Sequence, residues 1–138
     1  MIKLFLRFAI SAGFLSAVAD RFGWWSAAVS AWGNWNSFLE YTRLINPWVP
    51  DGLISVVGAM ATGAEIFFAL FLIVGFKTEL IARLSGFLLL AFALSMTFST
   101  GIKGAFDYSV FSASAGAFAL SLMKEKYLEA DLLISKRK

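Results

Sequence analysis

The chain has 138 residues, of which 59% are hydrophobic and 15% charged, with a formal net charge of +3. A soluble domain is about 45–50% apolar and about 25% charged, so this composition describes an integral membrane protein of one domain, 1–138, and not a nucleic-acid binder. Cysteine and histidine are both absent, which excludes thiol–disulfide chemistry, Cys/His metal sites, haem ligation by either residue, and Ser-His or Cys-His nucleophiles.

Four apolar segments are predicted to cross the bilayer as helices, giving an all-α, polytopic, antiparallel four-helix transmembrane bundle. The first runs over about 2–19. It has a rival reading as a signal peptide, with Lys3 and Arg7 as the basic region and Ala17-Val18-Ala19 as a small-residue cleavage site. Retention of this segment completes a four-helix bundle.

Residues 20–51 form an outer segment that holds all five tryptophans: Trp24, Trp25, Trp32, Trp35 and Trp48. Tryptophan prefers the membrane–water interface. Trp25, Val29, Trp32 and Leu39 fall on one helical face and Trp24, Ala28, Trp35 and Phe38 on another. The pattern predicts an interfacial helix, lying flat as an aromatic belt or folding back as a lid. Asn46-Pro47 and Pro50-Asp51-Gly52 read as turn and cap sequences that restart the chain.

The second span covers 52–76. Glu65 sits near its middle, where a charge costs about 2.5–3.5 kcal/mol on insertion scales. Glu65 shares a helical face with Gly58, Ala61, Thr62 and Ala69, so its carboxylate is expected to point inward. Arg7 is its expected counter-ion, and Glu65, Arg7 and Thr62 form the candidate buried polar site. A structural ion pair, a proton-carrying carboxylate and an anchor for a polar headgroup all fit that arrangement.

The third span covers 80–100 and the fourth 105–123, followed by a charged, amphipathic tail, 124–138. Tyr127, Leu128, Leu132 and Leu133 recur at helical spacing in the tail, which predicts a helical continuation, a surface helix or a solvated tail. Ser55, Ala59 and Gly63 with Gly58 and Thr62 beside them, Ala91, Ser95 and Ser99, and Ser109, Ala113, Ala117 and Ser121 with Ser112 and Gly116, form small-residue stripes expected to pack helix on helix. Asp20, Arg21, Asp51, Lys103, Asp107 and Tyr108 are expected to gather as a polar outer mouth. Nine of the twelve Lys and Arg residues fall on one side when both termini are cytoplasmic, the orientation that the positive-inside rule selects.

These residues resemble the DoxX and DoxX-like family of small four-helix membrane proteins. The resemblance rests on Leu6-Arg7-Phe8 and Gly13-Phe14-Leu15, then Ala64-Glu65 and the run from Leu72 to Thr78. Arg83-Leu84 and the run from Phe106 to Phe111 complete it. It covers nearly the whole chain, although the outer segment is longer than in the shortest members. It implies a retained first helix, a bacterial-type inner membrane, and recurrent arginine and glutamate positions matching Arg7 and Glu65. It also implies association with redox systems, since some relatives are subunits of thiosulfate:quinone oxidoreductases and others are linked to oxidative-stress complexes. Without cysteine or histidine, a redox role would use a bound quinone or a partner protein's cofactor. The function expected is an accessory or quinone-interacting subunit in the lipid bilayer, with a redox partner protein or a homo-oligomer as its company. The alternatives are a small-molecule binding or transport protein with an outward-opening cavity, and a structural or chaperone-like membrane partner.

Overall fold

A computed structural model describes residues 1–130 and 132, and the chain is all-helical among them. The helices are α1 (Ile2–Arg21), α2 (Trp35–Ile45), α3 (Asp51–Val74), α4 (Thr78–Thr100), α5 (Ile102–Asp107) and α6 (Val110–Leu122). Three of them, α1, α3 and α4, are long and apolar enough to cross a membrane. At 1.5 Å per residue their 20, 24 and 23 residues extend ~30–36 Å, matching a hydrocarbon core of ~30 Å.

The chain folds back on itself at short turns. Gly75 takes a left-handed conformation at the end of α3, and Lys77, also left-handed, stands before α4. With only three residues between them, α3 and α4 must run antiparallel as neighbours. α1 packs along α3 and α4 along α6. Ile10, Phe14, Ala69, Leu72, Ile81, Ala82, Ala117 and Leu120 form the core where these four helices meet. A second cluster, Ile45, Ala93, Met96 and Ala105, joins α2, α4 and α5 at the end of the molecule where α1 finishes. That end is the cap end; the opposite end, where α1 begins, is the tail end.

The structure departs from four expectations. The fourth apolar segment is not one helix from 105 to 123. It begins earlier, at Ile102, and breaks at Tyr108-Ser109, where Ser109 adopts a left-handed φ of 56°. The outer segment is helical only over Trp35–Ile45. Two left-handed glycines, Gly23 and Gly33, stand among the residues between α1 and α2, and Asn34 starts the helix by accepting from Ser37 N–H at 2.9 Å. The tail does not continue α6: residues 123–127 are irregular and residues 127–129 turn back onto α1. The tail positions Leu133, Lys136, Arg137 and Lys138 lie outside the described residues.

The fourth correction concerns the small residues. Ser55, Ala59 and Gly63 are exposed, as is Ala91. The buried face of α3 is instead Ile54, Gly58, Thr62, Glu65, Ala69 and Leu72. Spacing alone did not decide between two adjacent small-residue stripes; the bulk of Phe38 and Leu39 from α2, seated against Gly58, did. Ala117 and Ser121 of α6 are buried, and Ser114 Oγ donates to the Gly86 carbonyl across the α4–α6 contact at 2.9 Å. Phe67 and Phe87 face outward.

This packing gives two glycines opposite responses to the same substitution. A Cβ on Gly86 would stand 2.9 Å from two atoms of the Phe118 ring, whereas a Cβ on Gly63 meets nothing within 4 Å. Gly86→Ala should lower stability by ~1–3 kcal/mol through overpacking. Gly63→Ala should be neutral or stabilising by up to ~1 kcal/mol, because alanine is the better helix former. Thermal unfolding in detergent followed by circular dichroism checks both signs.

Candidate functional site

Glu65 lies midway along α3 with 2% of its surface exposed. Its partner is Arg21, the last residue of α1. Arg21 Nη2 donates to Glu65 Oε1 at 2.9 Å, and Nη1 stands 2.6 Å from Oε2. Nη1 also donates to Thr62 Oγ1 at 2.6 Å. Thr62 in turn donates to the Gly58 carbonyl one turn back, at 2.8 Å. The guanidinium is covered from the other side by α2, with the Phe38 ring centroid 4.0 Å and the Trp32 ring centroid 5.4 Å from Cζ. The cation is thus held by a carboxylate and a hydroxyl along α3 and by aromatic faces from the cap.

The neighbouring carboxylate anchors that cap. Asp20 Oδ2 accepts from Ala31 N–H and Trp32 N–H, each at 2.9 Å, and Oδ1 accepts from the Ser30 hydroxyl. Consecutive residues at the end of α1 therefore do two jobs: Asp20 ties down the loop that carries Trp32, and Arg21 ties α1 to α3. Helix α2 then rests on α3 where a Cβ on Gly58 would lie 2.7 Å from Leu39 Cδ2 and 3.2 Å from Phe38 Cε1. It is fixed to α4 by Ser95 Oγ donating to Asn46 Oδ1 at 3.1 Å. Trp32 and Trp35 pack edge-on or tilted against Phe38, while Trp24, Trp25 and Trp48 stay exposed. Burial raises the pKa of the Tyr41 phenol, and the Tyr108 phenol adds to the effect.

Arg7 does not reach Glu65. Nε and Nη2 donate to the Leu72 and Ile73 carbonyls at 2.8 Å each, and Nη1 donates to the Tyr127 and Leu128 carbonyls at 3.0 and 2.9 Å. The reason is register. Antiparallel packing sets Arg7 level with the last turn of α3, and Ser11 level with Ala69, to whose carbonyl it donates at 3.1 Å. Glu65 is seven residues further back than Leu72, or ~10 Å along the axis. The carbonyls at the C-terminal end of α3, which carry its partial negative charge, hold the cation first.

The outer mouth does not assemble either. Asp20 and Arg21 are buried under the cap. Asp51 pairs with Arg43 at 2.8 Å on the surface, Lys103 pairs with Asp107 one turn along α5, and Tyr108 is exposed. Exposed pairs of this kind contribute ~0–1 kcal/mol. Arg21 is expected from sequence in the polar outer mouth because it ends the first apolar run. The apolar character all round residues 24–39 was the signal that a covering element would bury it.

A second buried polar cluster lies at the tail end. Lys3 Nζ is 2.7 Å from Glu129 Oε1 and donates to the Glu125 carbonyl at 2.8 Å; both side chains are nearly inaccessible. Two surface recesses lie there, one bordered by Lys77, Glu79 and Glu129 and the other by Lys3, Met123 and Tyr127. Neither reaches Glu65. No group of three or more metal-ligating side chains occurs among the described residues.

Comparison with family models, curated proteins and solved structures finds no match to the chain.

Removing one member of the Arg21–Glu65 pair strands the other charge. Arg21→Leu or Glu65→Leu alone should cost ~3–5 kcal/mol, and the double substitution should recover most of that loss, because an apolar pair of similar volume carries no desolvation penalty. Thermal unfolding of the three variants in one detergent measures the recovery.

Proposed function

We propose that this chain is a DoxX-like membrane subunit that serves a membrane redox system as an accessory protein, without a redox centre of its own. Its helices form an antiparallel four-span bundle, with α5 and α6 together as the fourth crossing. The observation that carries this reading is the sealed Arg21–Glu65 pair. The central carboxylate is 2% exposed, shares its cation with Thr62, and is closed over by Phe38 and Trp32. A group that protonates a quinone needs contact with it; a carboxylate that fixes two helices and a cap does not. Small-molecule carriage would need a cavity leading to Glu65, and the two recesses described border the other end. The geometry therefore favours a rigid subunit acting through its surface over a carrier or a catalyst.

In this proposal the tail end faces the cytoplasm of an inner membrane and the aromatic cap faces outward. Lys3 and Glu129 are in contact, so both stretches of chain belong to one side, and the positive-inside rule makes that side cytoplasmic. The exposed rings of Trp24, Trp25 and Trp48 then sit where tryptophan is favoured, at the outer interface.

Two measurements test the proposal. The natural chain has no cysteine, so single-cysteine variants report without background. A membrane-impermeant maleimide should modify Lys103→Cys in intact cells and Lys124→Cys only after permeabilisation; the reverse pattern overturns the orientation. Native mass spectrometry of the protein extracted in mild detergent should show a stoichiometric redox partner or a bound quinone. A chain that carries neither contradicts the accessory role.

A further inference from the structure

The tail end holds an arrangement that the accessory reading does not use. Residues 127–129 lie across the beginning of α1 and the end of α3, and polar groups hold them there. Arg7 Nη1 donates to the Tyr127 and Leu128 carbonyls, and the Glu129 carboxylate meets Lys3. Lys3 and Arg7 are four residues apart on α1, so they present one cationic face. The fit is close: a Cβ on Gly75 would lie 2.8 Å from Glu129 Cα and 2.6 Å from Arg7 Nη2.

Three features distinguish this contact from ordinary core packing. Tyr127 and Leu128 remain 45% and 66% exposed, and neither belongs to an apolar core cluster. Leu128 is held at a φ of +49°, a conformation that a branched residue adopts only where its surroundings impose it. The linker from Met123 to Lys126 has no regular structure and joins the segment to α6 without helical stiffness. A strained segment on an irregular tether, with polar contacts to Lys3 and Arg7 as its described anchors, belongs among the parts of a fold that open locally.

We propose that residues 127–129 form a releasable strap over the tail end, with the Lys3–Glu129 pair as its latch and Arg7 as its seat. Released, the strap uncovers Lys3, Arg7 and the glycine surface at Gly75. That seat fits a chain with a left-handed bend that offers two successive carbonyls followed by a carboxylate. This inference does not rest on the accessory-subunit reading, and its test uses no partner.

Trypsin cleavage of the Lys126–Tyr127 bond reads strap opening directly, since the bond cannot enter a protease while the two following carbonyls are bound by Arg7. A Lys124→Gln background removes the adjacent site. Glu129→Gln should accelerate this cleavage by about tenfold or more, and Lys3→Gln, which removes the other half of the latch, should do the same. All five tryptophans lie within residues 24–48, away from the strap, so their emission should stay unchanged in both variants. Phe38→Ala, which loosens the cap, should leave the cleavage rate at the parent value. Cleavage of Glu129→Gln at the parent rate overturns the proposal. So does equal acceleration by Phe38→Ala, or a tryptophan shift in Glu129→Gln, because either means that the bond opens only when the whole fold does.

Discussion

Everything at the cap end depends on a guanidinium and a carboxylate kept out of water. Arg21 and Glu65 come from the end of one helix and the middle of another, and their contact sets how far α1 slides along α3. In an apolar surround such a pair cannot be shifted by one turn without leaving two charges unmatched, and each costs several kcal/mol alone. The cap follows from this. Once the guanidinium lies against α3 its remaining face needs cover, and Phe38 and Trp32 supply it. Gly58 lets α2 approach closely enough for that to happen, and Asp20 holds the loop that delivers Trp32.

The tail end solves a related problem differently. Arg7 is as buried as Glu65, and among the described residues it donates to four backbone carbonyls, two at the end of α3 and two from the returning tail. The first two would otherwise lack intrahelical donors, so one side chain satisfies a helix terminus and an irregular segment together. Lys3 and Glu129 close the same end with a second ion pair. The molecule is therefore tied at both ends by arginines of α1, with an apolar core between them built from Phe14, Leu72, Ile81 and Leu120.

The long helices were legible in the sequence because hydropathy and length leave little choice for runs such as 51–74. The inward direction of Glu65 could be read too, since a lone carboxylate has a single tolerable side of an apolar helix. Its counter-ion could not. Choosing between Arg7 and Arg21 needed the antiparallel register of α1 and α3, and that register follows from side-chain contacts spread over both helices. The stripe of Ser55, Ala59 and Gly63 looked as suited to packing as Gly58 and Thr62; the arrival of Phe38 and Leu39 from α2, with Arg21 from α1, separates them. The docked tail was hidden for a similar reason. Residues 124–138 read in isolation as a helical continuation, a surface helix or a solvated tail, and the burial of Glu129 depends on Lys3, more than a hundred residues earlier.

The central claim is that Arg21, rather than Arg7, is the counter-ion of Glu65. Among the described residues this is the one arginine–glutamate ion pair: the remaining pairs join lysine to glutamate, arginine to aspartate, or lysine to aspartate. Solid-state NMR in lipid bilayers can therefore isolate it, with ¹⁵N in arginine guanidinium groups and ¹³C in glutamate carboxylates. The account predicts short-range nitrogen–carbon dipolar dephasing in the natural protein and in Arg7→Lys, and its loss in Arg21→Lys. Dephasing that survives Arg21→Lys and disappears in Arg7→Lys would contradict it.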